Sequence, residues 1–116
     1  MATTQKTIIN LTINQGATFD KTLTVTTDGT ATYNISGLTL QAQMRKSYDS
    51  SSASATFACT IVDGAVGSYK LVLSAADTTA LDSGRYVYDV ELILADSTYD
   101  KVHSGIATVM PEATKI

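Results

Sequence analysis

The chain has no tryptophan, one cysteine and one proline, and its charged residues make up only 16% of 116. Each shortage excludes something. A lone Cys59 cannot close an internal disulfide, so stability rests on apolar burial and hydrogen bonding, which is feasible at this length. With no Trp and only 7% aromatic residues, a sugar-cleaving cleft is not expected. No apolar run approaches the length of a membrane span, so no membrane partner is expected. The net charge of −3 and pI near 4.8 come with no basic stripe, which removes the electrostatic footprint of nucleic-acid binding. The start, "MATTQKTIINLTINQG", has one Lys and no long apolar core, so it does not read as a signal peptide, and production without export is expected.

What replaces the charge is Thr, Ser and Ala, with Thr the commonest residue. Thr suits a pleated, half-exposed surface. A face of Thr and Ser is weakly solvating and suits contact with other protein. The length predicts a single domain, residues 1–116, with 1–6 and 112–116 as extended tails.

Short alternating runs separated by turn signals predict an all-β, antiparallel sandwich or partly open barrel of about seven strands. Thr7–Ile13 is read as the first strand, with Ile9, Leu11 and Ile13 on one face. Thr18–Thr26 is the second, where Lys21 interrupts the apolar face and suggests a bulge or an edge. "TDGT" at Thr27–Thr30 is a turn, and "YNISG" a short crossover with Ile35 buried. Leu38, Leu40, Ala42 and Met44 alternate with polar residues in the clearest half-buried strand. Lys46–Ala55, "KSYDSSSASA", reads as an exposed Ser-rich loop. Phe57, Cys59 and Ile61, then Tyr69, Leu71 and Leu73, form a hairpin across "DGAVG". "SAADTTAL" breaks the alternation; Ser74 caps one short helical turn within residues 74–81, with Asp77 in its first turn. Tyr86–Leu94 and Tyr99–Met110 are the last strands, with Gly105 as a bulge and Pro111 ending the ladder.

The stretch "LDSGRYVYDVEL" carries Asp-x-Gly-x-Tyr-x-Tyr after that helical turn. It resembles the tyrosine corner of immunoglobulin-type sandwiches, in which a Tyr two residues before the second Cys bonds back to backbone. Tyr86 holds the corner position, Gly84 allows close approach, and a carbonyl near Asp82 is the expected acceptor. Tyr88 stands where the Cys would be, filling space between the sheets by bulk. The fold class read from these residues is therefore an Ig-like β-sandwich without a disulfide.

Chemistry-bearing clusters are sparse. His103 reads as a solvated or hydrogen-bonded strand residue, and Cys59 as a small buried hydrophobe. The carboxylates fall mostly in turns: Asp28, Asp63, Asp82, Asp96 and Asp100. A calcium site would have to be built from Asp96 and Asp100, or from Asp77 and Asp82, and neither pair lies in a dense oxygen-ligand loop. No phosphate-binding glycine loop is present. No catalytic residue, metal or cofactor is expected, and the chain is read as non-enzymatic.

The ordered set "INQGATF", "YNISGLTLQAQMRKSY", "ATFACTIVDGAVGSYKLVLSAADTTAL", "GRYVYDVEL" and "GIATVMPEAT" spans nearly the whole chain. It resembles the Ig-like modules of tailed-bacteriophage virions, found in head-decoration, neck, tail and baseplate proteins, including the N-terminal part of some upper-baseplate proteins. The sequence stops at Ile116, where longer members continue into a fibre or receptor-binding part. The resemblance thus implies a structural subunit in many copies within a symmetric assembly. It would be located in the virion after assembly in the host cytoplasm and bound to other virion proteins. The alternative is a recognition module for a host receptor or polysaccharide. Candidate contacts are Lys6 in the first tail, Lys46, Ser47 and Tyr48 in the Ser-rich loop, and Glu112 and Ile116 in the last tail.

Overall fold

The computed structural model describes residues 7–27 and 31–113. Lys6, Ile116, the tail residues 1–6 and 114–116, and most of the Thr27–Thr30 turn with Asp28 lie outside them.

Alternation in the sequence becomes strands β1 (Thr7–Ile8), β2 (Leu11–Asn14), β3 (Phe19–Thr24), β4 (Thr26–Thr27), β5 (Ala31–Thr32), β6 (Thr39–Arg45), β7 (Ala55–Asp63), β8 (Ser68–Leu73), β9 (Gly84–Ile93) and β10 (Tyr99–Met110). The hydrogen-bonded order is β1–β10–β9–β6–β7–β8–β3, with β2 also on β10. β1 and β2 are one edge strand interrupted at Ile9–Asn10, and with that strand counted once the sheet has seven strands. β4 and β5 form a separate ladder.

The sheet is curled at β7. Its first residues, Ala55–Phe57, pair with β6; from Ala58 onward it pairs with β8. A strand that serves both sheets makes a corner and folds β7–β8–β3 back over β10–β9–β6. The faces meet in one core that includes Leu11, Ile13, Leu71, Leu73, Val90 and Leu92. Rings cross the gap: Phe57 stands edge-on to Tyr88 with centroids 6.1 Å apart, and Tyr69 tilts on His103 at 5.6 Å. This is an Ig-like β-sandwich with Cys59 free.

The helical turn is α1, Ala75–Thr79. Ser74 Oγ accepts from Asp77 N–H, and the Asp77 carboxylate accepts from Ser74 N–H, a reciprocal cap. The hairpin between β7 and β8 is closed by a 3₁₀ turn, Gly64–Val66, that ends at left-handed Gly67.

Several expectations are corrected. The first strand runs parallel to β10, not antiparallel. Of the two alternatives for Lys21 the edge holds and the bulge does not: β3 is an edge strand whose register with β8 is continuous. Asp100 lies in β10 and not in a turn. The bulge of β10 is at Val102, where the register shifts between Lys101 and His103. One extra residue breaks the two-residue alternation, and both Val102 and His103 become buried. Gly105 instead pairs regularly with Tyr88 and serves close approach: a Cβ there would stand 2.4 Å from the Ile9 carbonyl oxygen. Glu112 is not in an extended tail; its N–H donates to Gln15 Oε1, turning the chain back onto the β2–β3 turn.

Candidate protein-binding face

The interior titratable groups are occupied by structural bonds. His103 is 2% exposed. Its Nε2 faces the Thr24 carbonyl at 3.2 Å and its Nδ1 faces the Tyr69 hydroxyl. A neutral ring satisfies both: Nε2–H donates to the carbonyl and Nδ1 accepts the phenol proton. Burial holds the His103 pKa below the usual imidazole value, against the upward pull of the Thr24 carbonyl. Burial, assisted by Tyr88 and Cys59, pushes the Tyr69 phenol up. Burial also pushes the Cys59 thiol up to about 11, so little thiolate exists at neutral pH. Neither His103 nitrogen is directed to Cys59, and this arrangement does not activate a nucleophile.

The tyrosine corner is present as bonds. Tyr86 Oη donates to the Asp82 carbonyl at 2.7 Å, and Lys46 Nζ lies 4.2 Å from the Tyr86 ring centroid. Gly84, the first residue of β9, pairs with Val109. Tyr88 does more than fill space. Its hydroxyl donates to the Ile9 carbonyl at 2.5 Å, pinning the interruption between β1 and β2, and burial raises its phenol to about 12. On the other side of that interruption, Asn10 Oδ1 accepts from Ile106 N–H.

The Ser-rich loop is exposed and bonded. Ser50 N–H donates to the Ser47 carbonyl, Ser47 N–H to Ser50 Oγ, and Arg45 Nη1 to the Ser50 carbonyl. It places Tyr48, 61% exposed, beside the outer face of β9 and β10, with Lys101 Nζ 5.9 Å from its ring centroid. Lys46 and Ser47 follow the end of β6, and Glu112, by the β2–β3 turn, follows the end of β10 at the same end of the sandwich.

The outer face of β1, β10 and β9 carries apolar groups where a solvated sheet carries polar ones. Ile106 is opposite Val87; Ile8, 78% exposed, is opposite Ser104, two residues away; Met110 extends the row. In the sequence Val87 already breaks the outward polar face of its strand, whereas Ile8, Ile106 and Met110 were not singled out. The signal lay in β9, where Val87 and Ile93 are apolar among Arg85, Asp89 and Glu91, and in β10, whose outer positions include Ser104, Ile106, Thr108 and Met110.

Acidic side chains make no metal cage: among the described residues no group of three or more His, Cys, Asp or Glu is placed to hold an ion. Asp96 accepts from Thr98 N–H and Oγ1, which lowers its pKa, and Asp77 is committed to the helix cap. No described helix is long and apolar enough to cross a membrane.

No family model matches the chain. No curated protein matches it either. Among solved structures it is similar to an internalin-like protein of Listeria monocytogenes, with a TM-score of 0.44 and 16% identity, over 93% of this chain and 28% of that one. The chain thus spans less than a third of that protein's length.

Proposed function

We propose that the chain is a non-enzymatic structural subunit of a tailed-bacteriophage particle, present in several copies and bound to other virion proteins. The observation that carries this reading is the outer sheet face with Ile8, Val87, Ile106 and Met110, flanked by Tyr48. Exposed apolar groups gathered on one face mark a protein contact. The buried His103 and Tyr69 support the same reading, because their polar atoms are used to join the two sheets, and Cys59 is half-buried with its thiol held protonated. The whole-chain resemblance to Ig-like virion modules supplies the setting, and the low charge suits packing among neighbours.

The test is mass spectrometry of purified particles together with deletion of the gene. The expected result is a fixed stoichiometric amount per particle and impaired assembly or particle stability on deletion. Absence from purified particles overturns the proposal. A protein that is present and dispensable for assembly, with altered adsorption on its loss, replaces it with the recognition-module reading.

A further inference from the structure

Strand β6 is longer than its ladder to β7. It is paired to β9 along its whole length, from Thr39 opposite Ile93 to Arg45 opposite Val87. On its other side only Ala42, Gln43 and Met44 face partners, because β7 turns away after Phe57 to join β8. The Met44 carbonyl points to that side, accepting Ser54 N–H at 2.8 Å. Alternation by two along a regular strand turns the backbone N–H and C=O of Leu40 the same way, past the last rung.

A groove of about 310 Å³ opens at this place, lined by Leu40 and Phe57 and rimmed by Gln41, Gln43, Asp89 and Glu91. Asp89 already has a cation, Lys101 Nζ at 3.5 Å. Glu91 lies between Gln41 on β6 and Lys101 on β10 and makes no ion pair among the described residues, the Lys101 ammonium being drawn to Asp89. The groove therefore offers an open ladder position beside two carboxylates, Asp89 and Glu91, that have one cation between them. An extended backbone completes the first and a cation the second. Two copies meeting edge to edge here would bring their acidic rims together, which disfavours self-pairing at this site.

We infer that the groove takes an extended, basic segment of a partner protein, added beside Leu40 as a short strand with a Lys or Arg set against Glu91. This rests on the reading of the chain as an assembly subunit and states the chemistry of one neighbour. A charged edge that is short and recessed would stay unpaired in the free protein and pair only with a segment of opposite sign.

The experiment is an NMR titration of the full chain with two synthetic β-branched peptides of the same length, one with Lys at alternate positions and one with Glu there. The Lys peptide is expected to give saturable shifts at the amides of Leu40, Gln41, Thr56 and Glu91, and to slow exchange of the Leu40 N–H. The Glu peptide is expected to bind at least about tenfold more weakly. Glu91→Lys, a substitution at a half-exposed position, is expected to invert that preference while leaving the spectrum of the core unchanged. Equal response to both peptides, shifts centred elsewhere, or no saturable response overturns the inference. A protein found stoichiometrically in particles that ignores the Lys peptide loses the groove and keeps the structural role. One that binds the Lys peptide but is absent from particles loses the role and keeps the groove.

Discussion

Three side chains join parts of the sandwich through their polar atoms, Tyr86 and Tyr88 through one hydroxyl each and His103 through both ring nitrogens. Tyr86→Phe leaves the ring under Lys46 and removes only the bond to the Asp82 carbonyl. Urea unfolding is expected to show a loss of about 1–2 kcal/mol, the cost of one orphaned acceptor at a partly buried site; a neutral result would show the corner bond to be unimportant. His103 gives a pH dependence of defined sign. Its folded pKa lies below the unfolded value of about 6.5, so the unfolded chain binds the extra proton first. The stability it supports is present above about pH 6.5 and is lost as pH falls from there toward the depressed folded value. It is the only His, and ordinary carboxylates titrate lower, so a slope of unfolding free energy between about pH 5.5 and 7 reports it. His103→Gln is expected to flatten that slope; a slope that survives the substitution would assign it to another group. These three residues also differ in how legible they were. Tyr86 bonds four residues back, so a local motif reveals both partners. Tyr88 reaches Ile9 and His103 reaches Thr24, each across 79 residues, and no spacing in the sequence connects them.

The strands were legible because burial imposes a period of two, and Leu40–Met44 or Tyr86–Leu92 can satisfy it in only one register. What escaped is where the period fails. The β10 bulge at Val102 has no residue type that announces it, and Gly105 nearby invites the wrong assignment. The physical requirement at Gly105 is the backbone of the interrupted edge strand passing over it. Gly105→Ala is expected to cost about 1–3 kcal/mol through overpacking against the Ile9 carbonyl. Hydrogen exchange should show the loss concentrated at the N–H groups of Ile9 and Ile106; uniform loss over all strands would contradict this account. The docking of α1 was equally hidden. Thr78 is fully buried, donates its hydroxyl to the Ala17 carbonyl at 2.9 Å and accepts from Gly16 N–H at 3.1 Å. Gln15 Nε2 adds a bond to the Leu81 carbonyl. A helix of five residues has little stability of its own, so these bonds hold it against the β2–β3 turn. Thr78→Val keeps the shape and removes the partner of two part-buried backbone bonds, to the Ala17 carbonyl and from Gly16 N–H. The expected loss is about 1–3 kcal/mol, read by thermal unfolding; a stability equal to the parent would show that water replaces the hydroxyl there.

At the scale of the molecule, the two outer surfaces of the sandwich are not equivalent. On the β7–β8–β3 side Asp20, Thr22 and Lys70 face outward, with Asp20 and Lys70 in an exposed ion pair, and the apolar residues there, Val62 and Val72, are set among them. On the β1–β10–β9 side, Ile8, Val87, Ile106 and Met110 face outward. A free-standing protein has no reason to keep that asymmetry, since exposed apolar groups gathered on one strand face promote association. An assembly subunit does, because the same groups become its contact. The two sides can be separated by substitution. Ile8→Lys and Ile106→Lys place charge on the apolar face, and Thr22→Lys places it on the polar face. All three positions are partly or fully exposed, so each change is expected to move unfolding by no more than about 0.5 kcal/mol. Incorporation into particles, read by quantitative mass spectrometry, is expected to fall sharply for Ile8→Lys with Ile106→Lys and to stay at the parent level for Thr22→Lys. Normal incorporation of the double variant would remove the β1–β10–β9 face from the interface, and a loss with Thr22→Lys alone would move the contact to the opposite sheet.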